Sequence, residues 1–333
     1  MKNQPIQSNQ SALSYTGMPL ERNPVLRDNV EWIAQQYQSP NAQFLALNNQ
    51  ANLVNWQIPS NSPTPVRLTH SQIPDSFHRV CQSIYLGQTQ TDSGDAPVFA
   101  VDFTKLKQEY ISEWLKEINP ICEFIDLRSV SSLLPGDEAS ILGYARGLSF
   151  WHQNHLFCGR CGSSTSSKKG GHVRKCDSEG CAKEAYPRID PAVIMLVELV
   201  NPTDGVAKCL LGRHKSLPGG IYSTLAGYVD HGESMDEAVA REVMEEAGLL
   251  VHHTEYIASQ PWPFPSSLMI GFRAQTREEN IIIAPDELED AQWFTAEQIR
   301  GFGEYANPDA EKALPRKDSI ARNLIELWLQ DKA

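Results

Sequence analysis

Between Gly227 and Leu249 the chain fixes nine positions at set spacing: Gly227, five residues, Glu233, seven residues, then Arg241-Glu242-Val243-Met244-Glu245-Glu246-Ala247-Gly248-Leu249. Ser234-Met235-Asp236-Glu237 reads as a capping box that starts a helix, and Gly248 suits the left-handed position that ends it. Within that helix Glu242, Glu245 and Glu246 stand at i, i+3 and i+4, so three carboxylates share one face. On an isolated helix such like charges repel by a few tenths of a kcal/mol (roughly) per pair. Fold stability does not reward this cluster, whereas a hard divalent cation does: Mg²⁺ or Mn²⁺ prefers carboxylate oxygens and keeps water positions open for phosphate oxygens. Met235, Val239, Val243 and Ala247 supply the opposing apolar stripe, which anchors the helix to a sheet. A solvated acidic face is the ordinary reading of an isolated Glu-Xaa-Xaa-Glu-Glu, but Arg241, Glu233 and both glycines in register weigh against it.

The full pattern is GX5EX7REUXEEXGU, filled at every fixed position, and it resembles the Nudix hydrolase superfamily. That resemblance implies an α/β/α sandwich with a mixed sheet, an α+β or α/β fold. It also implies two or three metal ions that bridge a diphosphate and activate water for in-line attack at phosphorus. Carried over residue by residue, it makes Glu242 and Glu246 metal ligands and Glu245 a ligand or base. Arg241 would orient a glutamate, and the Ala226 carbonyl would join the metal shell.

A second motif follows, Ser259-Gln260-Pro261-Trp262-Pro263-Phe264-Pro265-Ser266-Ser267. Three prolines around two aromatics predict a stiff, extended segment with its rings preset. Aromatic faces suit stacking on a nucleobase or nicotinamide ring, although on composition alone a core-packing proline loop or a poly-proline partner motif is the safer reading. The segment is similar to SQPWPFPxS of the NADH diphosphatase family, without a departure. Tyr186-Pro187-Arg188 and Ser319-Ile320-Ala321 extend the similarity, which covers about 157–329 well and the first part loosely. It implies a dinucleotide pocket formed by Gln260, Pro261, Trp262, Pro263, Phe264, Pro265, Ser266 and Ser267, with Tyr186 and Ala321 near the substrate. Glu287, in Pro285-Asp286-Glu287-Leu288, matches a further acidic ligand or base.

Cys158-Xaa-Xaa-Cys161, fourteen residues, then Cys176-Xaa4-Cys181 is a Cys₄ zinc pattern. Four thiolates leave no open position, so one structural Zn²⁺ is expected. His155, Arg160, Lys168, Lys169, His172, Arg174 and Lys175 give this module local positive charge, which leaves room for nucleic-acid contact. Cys81, Cys122 and Cys209 read as buried free thiols.

The chain of 333 residues carries a formal net charge of −12, which speaks against a broad basic surface for nucleic acid but not against a polyphosphate bridged by metal. The expected organisation is a disordered tail over 1–17, a diverged Nudix-like α/β domain over 18–154, the Cys₄ ribbon over 155–186 and the catalytic domain over 187–333. Helices are predicted over Leu26–Tyr37 and Glu138–Gln153, the latter capped by Asp137. Strands are predicted over 43–47, 53–56, 83–87, 97–101, 192–197 and 207–212, with 88–96 as a polar hairpin loop. Neither a signal peptide nor a transmembrane run is read, so a cytoplasmic protein with no membrane partner is expected. The family resemblance adds a homodimer.

The leading functional expectation is metal-dependent hydrolysis of the diphosphate of NADH or NAD⁺ to nicotinamide mononucleotide and AMP. Removal of NAD caps from RNA 5′ ends is the same bond with a longer leaving group. A broader ADP-ribose-type nucleoside-diphosphate hydrolase is disfavoured by Trp262 and Phe264. A Nudix-fold ligand sensor is disfavoured by the intact glutamate set.

Overall fold

The computed structural model describes residues 13–56, 62–91, 94–119, 121–215, 220–283, 287–307 and 309–332. It divides into two compact units. The N-terminal unit holds Ser14–Arg188 together with Pro263–Ser266; the C-terminal unit holds Ile189–Trp262 and Ser267–Ala333, with Leu13 counted in it.

In the N-terminal unit α1 (Val30–Tyr37) precedes the hairpin β1 (Gln43–Asn48) and β2 (Ala51–Asn55). The expected helix from Leu26 is in fact a 3₁₀ turn over Leu26–Asp28, followed by α1. Asn29 breaks the two apart because its side chain accepts from the Trp32 N–H and caps the second. Asn49 and Gln50 turn the hairpin with positive φ. Next come β3 (Thr64–Pro65), α2 (Asp75–Val80), β4 (Gln82–Thr91) and β5 (Gly94–Asp102). Most of the predicted loop over 88–96 is therefore strand: Gln88 pairs Pro97 and Thr91 pairs Gly94. α3 (Gln108–Ile118), β6 (Cys122–Asp126), α4 (Leu127–Val130) and α5 (Gly136–Asn154) complete the sheet domain. Asp137 does not cap α5; Pro135 occupies that position and Asp137 accepts from the Glu138 N–H inside the first turn.

The sheet runs β3-β2-β1-β5-β4, with β6 also on β2, and β1 lies parallel to β5. An aromatic core of Phe44, Phe77, Tyr85, Phe99, Phe103 and Trp114 fills one side. A three-stranded ribbon, β7 (Thr165–Lys168), β8 (Val173–Cys176) and β9 (Glu184–Ala185), follows α5. The part of the expected disordered tail that is described, 13–17, is ordered: Leu13 joins the core of the C-terminal unit and Tyr15 is buried in the N-terminal one. Residues 1–12 lie outside the described residues.

The C-terminal unit is built from β10 (Asp190–Leu199), β11 (Lys208–His214), β12 (Leu225–Tyr228), α6 (Met235–Ala247), β13 (His253–Trp262), β14 (Ser267–Thr276), β15 (Leu288–Thr295), α7 (Ala296–Arg300) and α8 (Ile320–Asp331). Its sheet runs β13-β14-β10-β11-β15, with β12 on β10 and β10 parallel to β14. Alternation along β10 explains the sandwich. Val193, Met195 and Val197 face a core with Val239, Val243 and Ala247 of α6, while Ile194 and Leu196 face one with Leu324, Ile325 and Trp328 of α8. The mixed-sheet α/β/α expectation holds. Among the described residues no helix is long and apolar enough to cross a membrane.

Candidate active site

The acidic helix is placed as its sequence requires. Ser234 accepts from the Glu237 N–H and Glu237 reaches back to the Ser234 N–H, completing the capping box. Gly248 ends the helix at φ 66°. Val239, Val243 and Ala247 are fully buried against the sheet, and Glu242 and Glu246 are buried beside that stripe rather than opposite it. Gly227 on β12 is the position where a side chain is forbidden: a Cβ there would lie 1.9 Å from Cδ of Glu242. The absence of one lets the Glu242 carboxylate lie directly against the strand.

Arg241 organises this end of the helix. Its guanidinium donates to Glu233 Oε1 at 2.5 Å, Glu242 Oε1 at 2.7 Å, Glu245 Oε2 at 2.9 Å and the Tyr228 carbonyl at 2.8 Å. These bonds, together with the Asp230 N–H, hold the Glu233 carboxyl down at about 2. The three glutamates expected on one face are not equivalent. Glu242 and Glu246 are buried, whereas Glu245 is half-exposed at the rim and tied to Arg241. Burial raises the Glu242 carboxyl, with Arg241 opposing it.

Glu246 is the most perturbed group. It is 1% exposed, and burial, then the charges of Glu242 and Glu287, push its carboxyl up to about 8. The Ala226 N–H donates to it, but its Oε2 has no hydrogen-bond partner. The nearest ring nitrogen, Nε2 of His214, is 4.0 Å away, and burial lowers the His214 pKa, keeping that ring neutral near pH 7. A buried carboxylate oxygen without a donor, beside two further carboxylates, is a site that a cation fits. The structure thus brings Ala226, Glu242, Glu246 and Glu287 together and leaves Glu245 at the edge.

His214 and Tyr228 escaped the sequence reading. His214 ends β11 and its ring bonds the Glu287 backbone. Tyr228 follows Gly227, is 60% exposed, and sets its hydroxyl 3.4 Å from Ser267 Oγ. Neither stands at a fixed motif position; only the pairing of β11 with β15 and of β12 with β10 brings them here.

The proline-aromatic motif differs from the extended segment expected. It is a hairpin: β13 ends at Trp262, Pro263–Ser266 turn with a cis Phe264–Pro265 bond, and Ser267, paired with Trp262, begins β14. β13 is the edge strand, where Pro261 costs no central ladder bond. Gln260 is fully buried; its Nε2 donates to the Asp318 carbonyl at 2.7 Å and its Oε1 accepts from the Ile320 N–H at 2.8 Å. It thereby fixes the start of α8, where Ala321 is buried. Pro261 and Pro265 are exposed, and Trp262 and Ser266 half-buried. Phe264, in the N-terminal unit, is only 8% exposed, its ring edge-on to Tyr15 and beneath the guanidinium of Arg146. Its face is not presented for stacking. Tyr186 is 60% exposed, its hydroxyl donating to Glu184 at 2.7 Å.

The four cysteines form the one tight cluster of metal-ligating side chains found among the described residues, all Sγ atoms within 4.8 Å of one another. Cys158 to Cys181 is 3.8 Å and Cys161 to Cys176 is 3.4 Å. A tetrahedron of ~2.3 Å metal–sulfur bonds has edges of about 3.8 Å, so the quartet fits one thiolate-bound metal. The Arg160 and Cys161 amides lower the Cys158 thiol, and the Ser163 hydroxyl, then its amide, lower that of Cys161 to about 6. The basic surface expected here is smaller than the sequence suggests. Arg174 is buried, donating to Thr165 and contacting His152; burial drives His172 down to about 4; and Lys169 pairs with Asp28. Of the other thiols Cys122 and Cys209 are buried and Cys81 is half-buried.

A mixed sheet between two helices, with the glutamate signature running from β12 through α6, defines a Nudix hydrolase domain, and the NUDIX domain family model matches residues 190–317. The NADH pyrophosphatase-like rudimentary NUDIX domain matches 41–151, and the NADH pyrophosphatase zinc ribbon domain matches 153–186. The chain is 33% identical to the human NAD-capped RNA hydrolase NUDT12, over 93% of this chain and 72% of that one. It is 42% identical to NAD-capped RNA hydrolase NudC of Stutzerimonas stutzeri over 61% of this chain and 66% of that one. The protein belongs to the NADH pyrophosphatase family of Nudix hydrolases.

Proposed function

We propose that the protein hydrolyses the diphosphate bond of NADH or NAD⁺, releasing nicotinamide mononucleotide and AMP. The observation that carries this reading is the buried Glu242–Glu246 pair with its donor-free oxygen. The Ala226 carbonyl, Glu242, Glu246 and Glu287 would hold two or three Mg²⁺ or Mn²⁺ ions, with Glu245 at the rim as a further ligand or base. When bound, such ions would neutralise the diphosphate and lower the pKa of a bound water, making it a nucleophile at neutral pH. The protein's own groups do the positioning. Arg241 locks Glu242 and Glu245, Gly227 gives Glu242 its place, and Glu245 or Glu287 accepts the proton of the attacking water.

On the substrate side Pro261, Pro265 and Tyr186 offer exposed surface to the dinucleotide, and Trp262 a half-buried ring. Gln260, Pro263, Phe264 and Ala321 shape the hairpin and the start of α8 from within. Ser266 and Ser267 supply hydroxyls. The cysteine quartet takes one structural Zn²⁺, and seven cysteines free of disulfides suit a reducing cytoplasm. A homodimer follows from the family resemblance alone.

A second reading, removal of NAD caps from RNA, is favoured by the names of the human and Stutzerimonas relatives. The net charge of −12 and the inward-facing Arg174 weigh against tight binding of an RNA body. Comparing kcat/KM for NADH, NAD-capped RNA and ADP-ribose with Mg²⁺ or Mn²⁺ decides between them. NADH should exceed ADP-ribose by at least about tenfold; equal rates would return the protein to a broad nucleoside-diphosphate hydrolase.

A further inference from the structure

The hairpin that carries the proline-aromatic motif is held by a residue outside it. Pro263–Ser266 belong to the N-terminal unit, and within that unit they meet α5. Nη1 of Arg146 donates to the Pro263 carbonyl, and the same guanidinium lies 4.7 Å from the centroid of the Phe264 ring. Arg128, on α4, sits 4.5 Å from that ring. Arg146 is 8% exposed and its Nε is buried without a hydrogen-bond partner. One turn before it, Gly143 leaves room for the turn: a Cβ there would be 3.1 Å from Pro263 Cγ and 3.3 Å from the Tyr15 ring.

Burying an arginine with one donor unmet is costly, and the charge of Asp126 only partly offsets that cost. An apolar side chain of similar length would pack Phe264 at lower cost. What it could not do is fix the direction of the Pro263 carbonyl while clamping the next ring, because the one guanidinium acts on both consecutive residues of the turn. The geometry points to Arg146 as the positioning residue for dinucleotide recognition: it sets the conformation of Pro263–Ser266, and with it the placement of Pro265 and Ser266. This rests on the reading of that hairpin as the dinucleotide-binding element. Arg146 touches neither the reacting phosphorus nor the carboxylates, so its effect falls on binding, shared by ground and transition states.

The test uses the full chain, with Arg146→Met, Arg146→Lys and Gly143→Ala. Steady-state kinetics with NADH and Mg²⁺ or Mn²⁺ are measured beside NADH binding to metal-free protein, followed by the fluorescence of the dinucleotide. Arg146→Met should raise KM and weaken metal-free binding by about tenfold while kcat stays within about twofold. Arg146→Lys, which keeps a cation and one donor, should recover about half of that change on a logarithmic scale. Gly143→Ala, which crowds the same turn, should raise KM by about threefold. The inference is overturned if a folded Arg146→Met keeps the wild-type KM, or if kcat falls as far as binding does. Should Arg146→Met fail to fold, an unchanged KM in Gly143→Ala overturns it instead. Failure of the wild type to cleave NADH sinks the functional reading separately. The same KM comparison is then made on ADP-ribose, where an unchanged value overturns the role of Arg146.

Discussion

The two sheets of this chain share one connectivity and differ in what it carries. In the first, β1 is parallel to β5 and antiparallel to β2, β5 forms a hairpin with β4, and β2 takes β6. In the second, β10, β14, β11, β13 and β15 repeat those relations one for one. Between β3 and β4 the first sheet has α2, six residues whose one buried side chain is Phe77. Between β12 and β13 the second has α6, thirteen residues with Glu242 and Glu246 buried. Alternating apolar strands suffice for the architecture in both. The chemistry resides in one helix and in the glycine that lets a carboxylate lie against its strand.

That contrast can be broken in several ways, the largest first. Cys176→Ser opens the thiolate quartet of the first unit; zinc per chain, read by atomic absorption, should fall to near zero and the melting temperature by on the order of 10 °C. Arg241→Met frees Glu242 and Glu245 in the second unit and should lower kcat/KM by about 10- to 100-fold while the melting temperature changes little. Acid should strike the first unit. His152 is pushed down to about 4 by burial, as is His172. Between pH 6.5 and about 4 the unfolded chain binds more protons than the folded one, so stability is full above pH 6.5 and is lost as pH falls. At pH 5 each histidine should cost about 2 kcal/mol, seen in urea melts as a midpoint shift that His152→Gln reduces. The smallest effect belongs to α2, the helix without a glutamate cluster: Asp75→Asn, in its first turn, should leave kcat/KM within about twofold. A tenfold loss there would show that the first sheet takes part in the chemistry.

Much of this was legible in the sequence because the decisive features are local. The capping box at Ser234, the stop at Gly248, the stripe of Val239, Val243 and Ala247 and the Cys₄ spacing each need only a few neighbouring residues. What distant residues decide was not legible. The inequality of Glu245 and Glu246 depends on how α6 is turned on the sheet, and the perturbation of Glu246 depends on Glu287, forty-one residues further on. The hairpin form of the proline motif and the enclosure of Phe264 by Tyr15 and Arg146 likewise come from long-range packing. So does the loss of basic surface from the ribbon, since Arg174 and His172 turn inward to His152 and the Tyr85 carbonyl.

The central claim, that diphosphate cleavage depends on metal held by the buried carboxylates of α6, is tested most directly by AMP release from NADH in wild type and Glu246→Gln, each with and without Mg²⁺ or Mn²⁺. The account predicts release by the wild type only with metal, and a fall in kcat of about 10²- to 10³-fold in Glu246→Gln. Metal-independent release, or a Glu246→Gln rate within about threefold of wild type, would contradict it.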